Sequence, residues 1–475
     1  MKRLLHLAVL SGLAAGAVLF TLHAADQVRR DLPGDYVEGV VLSAQLDAAQ
    51  GRSPFDPRGW AEPPYRIHLY GPVFYELGGG LLGRVGATPT LVPGRLLSLA
   101  GLALALGSAF SIGRRIAGPG SGASLVGVLA PLSFLPVLIF APQNRVDTLA
   151  AGLALAGLAV AMRGGRVAPA LAALLFVLAL FTKPTALAAP VALFLACLWR
   201  RRVRDAGILA GAAIVLGLAG LAAMQLTTGG GFVTAVFGFN GANPFSIGGL
   251  FKAVQMALGQ PLLVVAAGLA IAGLVEGEPE ERLVALYSLV ALVLALATVG
   301  KVGANVNYFV EPGLAAAPVL ALAWKRVHGT VRGLSLALAL TAASLVVALP
   351  RVALEFRGRA ERATAESTLR PVLSGRSVLT MEITSALRAG AVPYLNDPSI
   401  FACLTAAGRF DESRLVADLE RGAIAVVLAD SDLGESDPVY SNWSPAVRAA
   451  VVRHYELTSV LGRNLFLYQP PVTRP

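Results

Sequence analysis

Five polar stretches in this chain combine residue types that could do chemistry. The first is DLPGDYVEG, with Asp31, Asp35 and Glu38. The second is HLYGPVFYE, with His68, Tyr70 and Tyr75. The third is QNRVD, with Asn144, Arg145 and Asp147, and the fourth is FTKPT, with Lys183. The fifth is GKVGANVNYFVEP, with Lys301, Asn305, Asn307, Tyr308 and Glu311. Asp35 and Glu38 lie three positions apart, so in a helix both carboxylates share one face. Such a pair can act as a general base and its helper. It can equally be an ordinary helix start, where acids favour the first turn. Lys183 reads either as a cation aimed at a phosphate or as a lysine snorkelling from a helix end. Arg145 and Asp147, two apart, do not share a helix face and are expected to pair with other helices. His68 is isolated. No HExxH, paired CxxC or GxSxG is present, and no metal is indicated, although a divalent ion stays possible.

The elements that position these stretches are apolar. The chain has 475 residues, of which 55% are hydrophobic and 14% charged, with mean hydropathy +0.67. The apolar residues form long uninterrupted runs, the mark of a membrane protein. The formal net charge of +10 comes from basic clusters between those runs, which orient a protein in a bilayer and give no reason to invoke nucleic acid. The two cysteines, Cys197 and Cys403, give neither a disulfide framework nor a metal pattern.

Reading apolar runs as helices gives about 11 spans, with every dense basic cluster on one side. The first, 4–24, is expected to stay uncleaved, since it is long for a signal segment. Residues 25–94 follow as a long outer segment, within which Gly71–Leu82 reads as an interfacial helix. The later spans are 95–113, 122–141, 146–162, 167–182, 184–199, 206–226, 253–275, 282–299, 308–324 and 333–350. A glycine-rich loop, 227–250, lacks the GK[ST] ending of a phosphate loop and reads as a connector. The expected organisation is an α-helical polytopic membrane domain over 1–350 and a small extracytoplasmic α/β domain over 351–475. In the latter, SVLTM, AIAVVLAD and NLFLY read as strands and DESRLVADLERG as an amphipathic helix. This topology puts all five polar stretches on the outer face.

As a set, the motifs resemble the GT-C superfamily of membrane glycosyltransferases. The closer likeness is to bacterial relatives of the protein mannosyltransferases and the aminoarabinose transferase of lipid A. DYVEG, YGPVFYE, RVD, TKPT, NPFS and NVNYFVEP carry it, in that order, over residues 1–350 and more loosely beyond. The resemblance implies a sugar donor on a polyprenyl phosphate and a lipid, polysaccharide or protein acceptor. It implies transfer with inversion on the outer face of the bacterial inner membrane, with the N-terminus cytoplasmic. Asp35 would be the base and Glu38 its helper, or the reverse: many relatives set the two acids side by side, whereas here they are three apart. Lys183 and Arg145 would hold the donor phosphate. Tyr70, Asp147, Asn305, Asn307, Tyr308 and Glu311 would bind substrate. A transporter or lipid flippase is the competing reading, disfavoured by the lack of an internal repeat. A non-catalytic assembly subunit is the third.

Overall fold

The structure, a computed structural model, describes residues 1–119, 122–435, 442–461 and 465–471. A helical bundle carries an outer layer of short helices, and a C-terminal α/β unit sits on that layer. Among the described residues, six helices are long and apolar enough by length and composition to cross a membrane: Lys2–Arg30, Val92–Ala117, Val203–Thr227, Pro279–Thr298, Val306–Val327 and Val331–Leu373. A seventh crossing results if Ile247–Leu258 and Pro261–Glu276, bent by 88°, form one span.

The other expected runs form shorter apolar helices, Asp147–Arg163, Ala168–Leu180, Ala188–Trp199 and the broken Ala123–Ser133, and prolines shape several of them. Pro131 and Pro136 break the run 122–141 into Ala123–Leu129, a 3-10 turn and Leu135–Phe140. Around Pro184 one helix ends at Leu180 and the next begins at Ala188. Pro261 opens the second arm of the bent pair. A hydropathy run counts apolar residues, but proline removes a backbone donor and ends the helix.

The outer segment is structured throughout. Asp31 terminates the first helix in the left-handed region, with φ 54°. Its carboxylate accepts from Leu91 N and Thr90 Oγ1, each at 2.8 Å. Asp35 caps helix Tyr36–Ala49, accepting from Glu38 N at 3.3 Å. The interfacial stretch is helix Pro72–Arg84, which packs against Tyr36–Ala49 with Phe74, Tyr75 and Leu82 fully buried. Gly78 and Gly79 permit the contact: a Cβ on Gly78 would lie 2.2 Å from Gln45 Nε2, and one on Gly79 2.6 Å from the Ala48 Cβ.

Glu38 joins this layer to the bundle. It is 0% exposed and faces Arg95, also 0% exposed. Arg95 donates from Nε at 2.8 Å and from Nη2 at 2.7 Å. Gly34 N and Asn144 N each donate to it at 2.7 Å. Arg95 also donates to the carbonyls of Gln27 and Leu32. The first helix, the outer helix, helix Val92–Ala117 and the loop before Asp147 thus meet at one ion pair.

The last long helix, Val331–Leu373, runs through residue 350, where the span was expected to end. The sheet begins only at β1, Ser377–Thr380, followed by β2 (Val392–Pro393), β3 (Val426–Ala429), β4 (Glu456–Leu461) and β5 (Leu465–Gln469). The strand order is β2-β1-β3-β5-β4, parallel across β2-β1-β3 and antiparallel across β3-β5-β4. The three expected strands are β1, β3 and β5, and the expected amphipathic helix is Ser413–Glu420. This unit is stitched to the outer segment. Asn396 accepts from Ile67 N at 2.9 Å and donates to Ile67 O at 3.0 Å, and Arg388 pairs with Asp31 at 2.7 Å.

Replacing Arg95 by Met would leave the Glu38 carboxylate buried without its cation, at a cost of about 3–5 kcal/mol. We expect a large fall in the thermal unfolding temperature in detergent; an unchanged temperature would show that the pair does not hold the layers together.

Candidate functional site

The site lies where the outer layer, the bundle loops and the C-terminal unit converge. Asp35 stands outside its helix, at φ −150° and ψ 172°. The helical-face rule therefore does not govern it, and its carboxylate diverges from that of Glu38. It pairs with Arg145, which lies in the loop before helix Asp147–Arg163. Arg145 also approaches Asp147, Nε to Oδ2 at 3.5 Å. Contrary to the expectation from their spacing, these two residues do meet, because Arg145 is not helical. Asp147 accepts from Lys183 Nζ at 2.7 Å and from Asn307 Nδ2 at 2.9 Å. Lys183 sits 4.7 Å above the Tyr308 ring. Residues from three separate stretches of the sequence thus form one alternating chain of charge, Asp35–Arg145–Asp147–Lys183.

A cleft opens beside this chain. Arg145, Lys183, Tyr70, Asn307 and Tyr308, five of the candidate residues from the sequence, line it. Lys301 lines it too, and among the described residues its ammonium has no ion-pair partner. The glycine-rich loop contributes Asn240 and Asn243. That loop is packed rather than a loose connector: Phe232 is buried and stacks on Phe181 at 5.9 Å.

Other expected residues sit elsewhere. Asn305 is exposed and caps the turn at Val306, at 2.7 Å. Glu311 accepts from Tyr287 Oη at 3.4 Å and does not line the cleft. His68 is buried, its Nε2 3.5 Å from Asp47. Among the described residues no group of three or more His, Cys, Asp or Glu side chains is placed to hold a metal ion.

The C-terminal unit supplies Asp397 and Ser399 to the cleft, and sequence reading missed both. Asp397 caps helix Pro398–Ala406, accepting from Ile400 N at 3.3 Å. An Asp followed by Pro signals a helix start, but no local pattern says which cavity that start faces.

The two acids of the first stretch differ electrostatically. Burial pushes the Asp35 carboxyl above its ordinary range, and Arg145 only partly offsets this. For Glu38 burial acts in the same direction, but Arg95 overrides it and the carboxyl is held low. Asp35 side-chain exposure is 22%, against 0% for Glu38. Burial raises Asp397 to about 6.

Comparison with known proteins places this geometry in context. Residues 57–201 match the model of the alpha-(1->6)-mannopyranosyltransferase N-terminal domain. No curated protein matches the chain. ArnT from Cupriavidus metallidurans bound to undecaprenyl phosphate superposes with TM-score 0.64 at 14% identity, over 98% of each chain. Its apo state gives 0.62 at 13% identity, over 97% of each. The oligosaccharyltransferase AglB from Archaeoglobus fulgidus, in complex with an inhibitory peptide and a dolichol-phosphate, gives 0.52 at 12% identity, over 98% of this chain and 75% of that one.

A carboxyl raised on folding makes the folded state bind more protons, so its contribution to stability falls as pH rises from the unfolded value to the folded one. For Asp397 that window runs from 3.8 to about 6. Asp397→Asn, which keeps a good cap, should raise the unfolding temperature relative to wild type at pH 7.5 and leave it level at pH 4. An equal effect at both values would refute the burial argument. At these identities the likeness is one of fold: this multi-pass membrane protein folds like ArnT and, more distantly, like AglB.

Proposed function

We propose that the chain transfers a hexosyl or pentosyl group from a polyprenyl-phosphate donor to an acceptor hydroxyl on the outer face of the bacterial inner membrane. The N-terminus is then cytoplasmic and the C-terminal unit extracytoplasmic. The acceptor is a lipid, a polysaccharide or a protein.

The observation that carries this reading is the division of labour between the two acids. Glu38 accepts from Arg95, Gly34 and Asn144 and has no exposed surface. A carboxylate so occupied cannot take up a substrate proton. Asp35 is partly exposed and held by Arg145, a residue of the cleft wall. Its raised pKa suits a general base, whose best value lies near the working pH.

In the proposed reaction Asp35 takes the acceptor hydroxyl proton. The acceptor oxygen bonds to the anomeric carbon as the bond from that carbon to the phosphate oxygen breaks. The electron pair leaves on the polyprenyl phosphate, and the anomeric configuration inverts. Preorganised cations at the place where this charge develops lower the barrier without reorganisation. Lys183 and Arg145 serve there, joined by Lys301, whose charge no described acid neutralises. Asp147 orients both Arg145 and Lys183, and Asn307 fixes Asp147 in turn. Tyr70 and Tyr308 face the cleft as sugar-binding surfaces. Asn305 and Glu311 have no direct contact in this scheme, and no obligatory metal is invoked.

The test is release of polyprenyl phosphate from a panel of radiolabelled donors by purified protein in lipid. Asp35→Asn should reduce turnover about 10²–10⁴-fold, with an unfolding temperature near that of wild type. Wild-type activity unchanged in this variant would remove Asp35 as the base. No turnover with any donor, together with movement of a labelled solute across the bilayer, would favour the transporter reading. In the same assay EDTA should leave the rate unaltered, and its loss on chelation would reinstate a metal.

A further inference from the structure

A second cavity opens at the far ends of the helices that frame the cleft. Helix Asp147–Arg163 carries Asp147 at the cleft and Arg163 at this cavity, roughly 25 Å apart at 1.5 Å per residue. Helix Val92–Ala117 likewise has Arg95 near one end and Arg115 near the other. The cavity is therefore on the opposite side of the membrane domain.

Its wall holds Arg115, Arg163, Arg200 and Arg202, with Glu280 and Asp205 as the acids. Arg115 takes Glu280 at 2.7 Å. Three arginines then face one carboxylate, and among the described residues none of the three has an ion pair. Arg200 is half-buried, and its Nη2 is buried without a hydrogen-bond partner among those residues. A buried donor without an acceptor is costly. Burial, and then the neighbouring Arg202, lower the proton affinity of this guanidinium. The shortfall is of negative charge.

The surroundings point to a lipid source for that charge. Trp199, 55% exposed, stands beside Arg200, and the Arg282 guanidinium lies over its ring at 5.4 Å. Tryptophan of this kind sits at headgroup depth. Val203 and Leu198 are exposed next to it, so a headgroup in the cavity could keep its acyl chains on apolar surface. Arginine forks match phosphate oxygens in two-point contact.

We propose that this cavity binds a phosphate-ester anion, the headgroup of an anionic phospholipid in the leaflet opposite the cleft. The proposal does not depend on the transfer reaction.

The experiment is a thermal-shift and native mass spectrometry comparison of the full chain in detergent. The probes are phosphatidylglycerol, phosphatidylcholine and, without acyl chains, glycerol 3-phosphate. Wild type should retain and be stabilised by phosphatidylglycerol over phosphatidylcholine. The triple variant R163Q/R200Q/R202Q should bind it about tenfold more weakly or worse. The control R166Q/R204Q removes two basic residues outside the cavity wall and should bind as wild type. Since losing three basic residues can disturb insertion, Arg200→Gln alone is measured beside it and should show a smaller loss in the same direction. Equal stabilisation by glycerol 3-phosphate would uphold the phosphate site and assign it to a soluble ester. Equal binding of both lipids, or equal losses in the triple variant and the control, would overturn the proposal.

Discussion

The architecture of the outer layer depends on a buried ion pair, Glu38 with Arg95. An isolated carboxylate at this depth would be protonated or expelled. Here two donors from Arg95 and two backbone amides fill its acceptor positions, and Arg95 spends its remaining donors on the carbonyls of Gln27 and Leu32. Such pairs add little net stability over a hydrophobic replacement, but they tolerate one geometry only. The pair therefore sets where helix Tyr36–Ala49 lies on the bundle. That in turn sets where Asp35, at the head of the helix, meets Arg145.

From Arg145 inward, charge alternates through Asp147 to Lys183. Each member is held by its neighbours, so Arg145 and Lys183 are both fixed by acids of the protein itself. The chain also explains how ionisable groups survive next to the membrane interior, where each needs a partner. Among the described residues Lys301 has no ion-pair partner, so its ammonium is the cleft cation that no carboxylate among them is placed to neutralise.

The C-terminal unit is part of this arrangement rather than an appendage. Asn396 hydrogen-bonds both backbone groups of Ile67, and Arg388 clamps Asp31. These contacts bring Asp397 and Ser399 to the cleft wall. Sequence reading located three of the five strands of this unit, β1, β3 and β5, because short β-rich runs are a local signal. It placed the start of the unit at 351, inside what proves to be helix Val331–Leu373, because charge there ended the apolar run without ending the helix.

The amino-acid sequence by itself pointed to a membrane protein, to five polar stretches between its apolar runs as the candidate site, and to a small α/β unit after the last long apolar run. These follow from composition, run length and basic clusters, which are properties of short windows. It could not separate Asp35 from Glu38, since a spacing of three says nothing about which residue is the cap and which points inward. Only the tertiary structure decided that, by placing Arg95 under one and Arg145 beside the other. It likewise decided that Asn305 and Glu311 turn away from the cleft and that Lys301 and Asp397 enter it. Where the apolar runs break into shorter helices also lay beyond the sequence pattern, because a hydropathy window does not register where proline bends an apolar run. Burial and pairing are set by partners tens to hundreds of residues away, and no local pattern encodes them.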